Sequence, residues 1–175
     1  MSLREQYAPG PANIARVEKD GPKWTLILVR ELRHPPQKVW QAITDPAHLR
    51  EWAPFDVDNG MDAVGTVKLT WVGTSKSIET RVTRAEAPKV LEYDDTRWEL
   101  EAFGDGTRLT LWTNIDRRFI SMGAAGWHIA FDVLERFLGG TPIGRIAGGD
   151  AMRFSGWQRL NAEYAKQFGV EAPKW

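Results

Sequence analysis

The sequence predicts an α+β fold, in which a curved antiparallel β-sheet wraps around a long C-terminal helix and two short helices sit between the first strands. Three observations carry this prediction. Alternating apolar and polar positions recur in short segments from residue 66 to residue 116, which reads as a meander with one covered face. Helical spacing returns only in the last third of the chain. Residues 35–55, PPQKVWQAITDPAHLREWAPF, hold two helix signals back to back.

Residues 1–13 contain Pro9, Gly10 and Pro11 and show no periodicity, so a flexible N-terminal tail is expected there. A single domain over residues 14–169 follows, and residues 170–175 form a C-terminal tail. The run IARVEK, the pair Asp20-Gly21 and the run WTLILVREL predict a hairpin, because an Asp-Gly pair tolerates the positive φ of a tight turn. Leu26, Ile27, Leu28 and Val29 make its second arm apolar on both faces. In the helical pair, Pro35 and Pro36 suit a first turn, while Val39, Trp40 and Ile43 line one face. Asp45 and Pro46 end that helix and begin another, which carries Leu49 and Trp52 and is closed by Pro54.

In the meander, Val67, Leu69 and Trp71 share one face of their strand, and Ile78, Thr80 and Val82 share one face of the next. VLEYDD is a short third segment. Trp98, Leu100 and Ala102 alternate with Glu99 and Glu101, whose carboxylates are expected in solvent. Gly104-Asp105-Gly106 then turns the chain into a strand where Leu109, Leu111 and Ile115 share a face. A helix is expected over residues 126–138, ended by Gly139-Gly140, and a glycine-rich link over residues 141–149. Asp150 is expected to cap the final helix, whose stripe runs Phe154, Trp157, Leu160, Tyr164 and Phe168. A sheet with one wet face, curled on a long helix, is a helix-grip arrangement.

Composition narrows the function. The 23 basic and 23 acidic residues cancel, so nothing suggests capture of nucleic acid or of an anionic membrane. With no cysteine, disulfides, thiolate metal sites and cysteine nucleophiles are excluded. No apolar run has bilayer-spanning length and the first residues lack a signal-peptide core, which predicts a cytoplasmic protein without membrane insertion. His34, His48 and His128 are too scattered for a metal motif, and no HExxH, CxxC or GxSxG occurs. No metal, no cofactor and no catalytic residue is therefore assigned. His128 and Asp132, four apart, form either a surface pair or an acid-base pair facing the interior.

The run VRELRHPPQKVWQAITDPAHLREWAPF, together with KVLEY, GDGTRLTLW, GWHIAFDVLERFLGG and GWQRLNAEYAKQFG, resembles the heat-shock-protein ATPase-activator homology (AHSA) family of the START-like, or SRPBCC, superfamily. The resemblance spans roughly residues 14–169 and implies the helix-grip fold. It also implies a range of roles: lipid and hormone binding, aromatase or cyclase activity, or a co-chaperone-like interaction module. Where many relatives have histidine near the end of the LTL strand, this chain has Thr113, so no pocket histidine carries over.

Nine tryptophans stand beside seven phenylalanines and three tyrosines, enough large rings to line a pocket as well as fill a core. If the Leu109 face is concave, Leu69, Trp71, Trp98, Leu100 and Leu111 meet it there. Trp127 and Trp157 come from the helices, with Trp52 and Phe55 at the rim. These ten residues are the expected lining for a small apolar molecule or lipid. The same parity puts Trp112 on the convex side, where either a bulge resets the register or a second copy or protein partner covers the indole. Arg81 and Arg117 are candidate polar ends for a carboxylate ligand, or plain surface residues.

Overall fold

The computed structural model describes residues 1–173, so the last two positions of the expected C-terminal tail lie outside the described residues. The predicted hairpin is β1 (Ala15–Asp20) and β2 (Lys23–Leu32), and Gly21 at its turn has φ +59°. The two short helices are α2 (Pro36–Thr44) and α3 (Pro46–Trp52), following a short α1 (Leu3–Gln6). Asp45 joins them as expected: its side chain accepts hydrogen bonds from the backbone N–H groups of Ala47 and His48. Then come β3 (Phe55–Val57), β4 (Gly65–Trp71), β5 (Ser77–Glu86), β6 (Val90–Tyr93), β7 (Thr96–Phe103) and β8 (Gly106–Asn114). All eight strands form one antiparallel sheet in the order β1-β2-β8-β7-β6-β5-β4-β3. The hairpin thus joins the end of the meander and closes a curled half-barrel.

The helix in the grip is α4 (Ile120–Leu138), which lies between the sheet and the last helix, α6 (Ser155–Phe168). It begins six residues before the expected start, because 120–125 (ISMGAA) continues the buried face with Ile120, Ala124 and Ala125. A short α5 (Gly148–Met152) precedes α6. Asp150 lies within α5 and pairs with Arg153, so it does not cap α6; the cap position is Phe154, with no side-chain hydrogen bond. Gly169 ends α6 in the left-handed conformation, φ +70°, where a β-carbon would be strained.

The concave layer holds Leu26, Leu28, Leu109, Leu111 and Trp98 against α4, with α2 and α3 closing one end through Val39, Ile43 and Leu49. Register answers the question posed by Trp112. Strands β7 and β8 pair without a shift, Arg97 lies opposite Trp112, and the indole stays on the convex face. It is half-buried there, opposite the buried Ile27 of β2, with the Arg97 guanidinium 5.9 Å from its ring centre. Arg97 is itself held by Glu92 and Glu99. A charged ladder on the wet face, not a bulge, accommodates the ring.

The N-terminal segment departs from the expected loose tail. Tyr7 and Ala12 are buried, Tyr7 stacks on Phe154 at 5.8 Å, and Arg4 donates to the carbonyls of Ile143, Gly144 and Arg145. Arg159 of α6 reaches back to the carbonyls of Pro9 and Gly10, and Gln167 to that of Ala12. Gly156 fits against Pro9, where a β-carbon would come within 2.6 Å of the proline ring. The expected link is also anchored, with Ile143 and Ile146 in the core. Both ends of the chain therefore close over the outer side of α4.

Candidate functional site

Trp98 of β7 is the centre of the aromatic set. Its ring lies 5.6 Å from Trp127 and 6.0 Å from Phe131, both on α4, and 6.2 Å from Trp52 of α3. Trp127 in turn meets Trp52 and Phe55, each at 6.4 Å. Mostly tilted or edge-to-face, these contacts suit the ring quadrupoles. Both fully buried indole N–H groups are satisfied: Trp52 donates to the carbonyl of Ala42 at 2.9 Å, and Trp98 to the hydroxyl of Tyr93 at 3.0 Å. Burial pushes that tyrosine hydroxyl above its ordinary range, so it remains protonated. Leu69, Leu100, Leu109 and Leu111 complete the same buried layer.

Four of the ten expected lining residues sit elsewhere than predicted. Trp52 and Phe55 are not at a rim; both are fully buried in the ring cluster. Trp71 shares the inward parity of Val67 and Leu69, yet it is 41% exposed because β4 runs past the covering layer there. It touches the cluster edge-on through Phe55, at 5.4 Å. Ile78 of β5, in register with Leu69, is also exposed. The open end of the grip is therefore marked by Trp71 and Ile78. Trp157 is buried on α6 beside Gly126 of α4, on the side away from the sheet. Beside Trp71 lies a surface depression of about 420 Å³, where Arg145 donates to Asp56 at 2.9 Å.

A second constellation joins α4 to the clasped chain ends. Asp132 accepts from the hydroxyl of Tyr7 at 2.5 Å and from Arg30 at 2.7 Å, and Arg30 also reaches Glu135 at 2.9 Å. His128 shares a 2.7 Å hydrogen bond with the hydroxyl of Tyr164 through Nδ1, and its Nε2 lies 3.8 Å from Asp132. Neither sequence-based alternative holds for His128 and Asp132. They are buried, not on the surface, and the imidazole bonds α6, not the ring cluster. Burial holds the imidazole below its ordinary range despite the pull of Asp132. Burial also pushes the Tyr164 hydroxyl up to about 12. The network is a polar tie between elements, with each group paired inside it.

Arg30 and Tyr7 escaped the sequence reading for different reasons. Arg30 shares the parity of Leu26, Leu28 and Leu32, so an inward arginine seeking an acid was readable. Tyr7 stands alone among Pro, Gly and charged residues, with no periodic partner to mark it. Arg81 is exposed on β5, and Arg117 is exposed in the loop before α4. Among the described residues no three His, Asp or Glu side chains come together as a metal site, and no helix is long and apolar enough to cross a membrane.

Residues 33–139 match the family described as activator of Hsp90 ATPase homolog 1-like protein. No curated protein matches the sequence. Solved structures share the fold at low identity. A conserved protein of unknown function, EF2215 from Enterococcus faecalis, has TM-score 0.66 at 15% identity, covering 87% of this chain and 89% of its own. CalU16 from Micromonospora echinospora has 0.64 at 22%, covering 88% and 89%. SSP2350 from Staphylococcus saprophyticus has 0.61 at 16%, covering 70% and 98%. The clasp formed by residues 1–13 and 141–168 lies outside the family match.

Proposed function

Because this chain belongs to the activator of Hsp90 ATPase homolog 1-like family, we propose that it binds a small, largely apolar molecule, a lipid or an aromatic compound, between its sheet and α4. One observation carries the reading. Trp71 and Ile78 extend the inward face of the sheet into solvent, and Trp71 connects through Phe55 to the buried rings of Trp127 and Trp98. Continuous apolar surface from solvent to core is what an apolar ligand needs for entry. The rings fill the interior, so binding requires them to part, with the ligand replacing ring contacts by its own. Leu69, Leu100, Leu109 and Leu111 then form the sheet side of the bound state.

The test is native mass spectrometry with a panel of fatty acids and neutral aromatic polyketides, read alongside quenching of tryptophan emission. Retention of one ligand class is expected, with loss in Leu111→Trp, whose added ring occupies the interior, and in the milder Leu100→Phe. Circular dichroism confirms that each variant is folded. If a folded plugged variant retains the ligand as well as wild type, or no panel member is retained, the reading is wrong.

A further inference from the structure

A groove of about 1100 Å³ lies at the other edge of the sheet, between the β1–β2 hairpin, the loop before α4 and the segment after α6. A smaller depression of about 420 Å³ shares Trp24, Arg117 and Arg118 with it. Small-molecule sites typically measure roughly 300–1000 Å³, a range that holds the depression and that the groove slightly exceeds. The lining combines flat apolar surface with cations. Trp24 is half-buried and Phe119 is 48% exposed, while Lys19 places its ammonium 4.4 Å from the Trp24 ring centre.

The positive charges are not equivalent. Arg118 is committed to Asp116, with its Nη2 donating to Oδ2 at 3.0 Å, and that contact holds the Asp116 carboxyl at about 2. Arg117 forms no hydrogen bond or ion pair with the described residues. Among the described residues Glu171 is the one acid of the lining, set against Lys19 and Arg117, neither of which is in an ion pair with them. Arg117, without an ion pair among the described residues, offers planar donors to an oxyanion. The Trp24 and Phe119 rings, which carry the Lys19 ammonium and the Arg118 guanidinium at 4.4 and 5.3 Å, offer the remaining flat surface to a ring. Recognition of an anionic membrane generally involves clusters of about 4–8 basic residues, more than this groove holds.

We propose that this groove is a binding site for an amphipathic aromatic anion, a flat ring system bearing a carboxylate or phosphate, with the ring against Trp24 and Phe119 and the anion on Arg117. The site is independent of the apolar interior, which opens near Trp71 at the opposite sheet edge.

A matched probe pair tests it on the full chain: 8-anilinonaphthalene-1-sulfonate and N-phenyl-1-naphthylamine, the same rings without the sulfonate. Saturable sulfonate binding is expected, weakened about tenfold in Arg117→Gln, the scale of one charge-assisted contact. Phe119→Ala should weaken it too, and Trp71→Ala should leave it unchanged. The neutral probe, which the apolar interior can also take, should ignore Arg117→Gln. Displacement by 1-naphthoate or by naphthyl phosphate then identifies the preferred head group. The proposal is overturned if the sulfonate does not bind, if Arg117→Gln leaves its affinity unchanged, or if Arg117→Gln weakens the neutral probe to the same degree. Equal displacement by inorganic phosphate would remove the ring-binding half of the site.

Discussion

Replacing Tyr7 by phenylalanine isolates one hydroxyl in the clasp. The ring keeps its stack on Phe154 and its place under the Arg136 guanidinium, 4.6 Å from the ring centre, so packing is conserved. What disappears is the 2.5 Å donor to Asp132, a carboxylate left with Arg30 on its other oxygen and His128 at 3.8 Å. Hydrogen bonds to charged groups contribute about 1.5–3 kcal/mol when buried. With a urea dependence of about 2 kcal/mol per molar, a loss of that order lowers the unfolding midpoint by about 1 M. Equilibrium urea unfolding followed by circular dichroism measures it. A double-mutant cycle with Asp132→Asn should return a coupling of about 0.5–3 kcal/mol, since the two groups touch. A midpoint within about 0.2 M of wild type would mean that residues 1–13 are the loose tail their composition suggests, and would refute the clasp.

Trp98→Ala removes the ring at the centre of the cluster and leaves the Tyr93 hydroxyl without its donor; a loss of about 3–5 kcal/mol in the same assay is expected. His128 is held below its ordinary range mainly by burial, so its contribution is fully present above about pH 6.5 and is lost as pH falls from there toward the lower folded value, at no more than about 1.4 kcal/mol per pH unit. His128→Gln should flatten that slope in stability measured from pH 7.5 to 5, with His34→Gln as the control, because burial and Lys38 shift His34 in the same direction. Arg97→Ala uncovers Trp112 on the convex face: a red shift in tryptophan emission is expected, with a stability change within about 1 kcal/mol.

Period and turn chemistry made the fold readable. Asp20-Gly21 and Asp45-Pro46 mark their boundaries because each residue type answers a local backbone requirement, and the strand parities of Val67, Trp98 and Leu111 survive in the structure. The candidate site was legible only in part. Parity says which way Trp71 points but not where the covering helices stop, and that decides whether it is core or exposed. Trp52 and Phe55, expected at the rim, are buried because they pack on Trp127 and Trp98, far away in sequence. The His128 network was invisible as a unit, since Tyr7 and Tyr164 meet it from opposite ends of the chain. Asp150 failed as a cap because α5 and its link to Arg153 claim it first.

The meeting of residues 4–12 with residues 143–167 has a consequence for how the chain is made. Synthesis produces Tyr7 well before Asp132 and Phe154, which seat it. Sheet and α4 can assemble on the ribosome while this tyrosine waits in solvent, and the polar tie beneath α6 closes only after release of the final helix. A residue made early is thus among the last of this network to find its place.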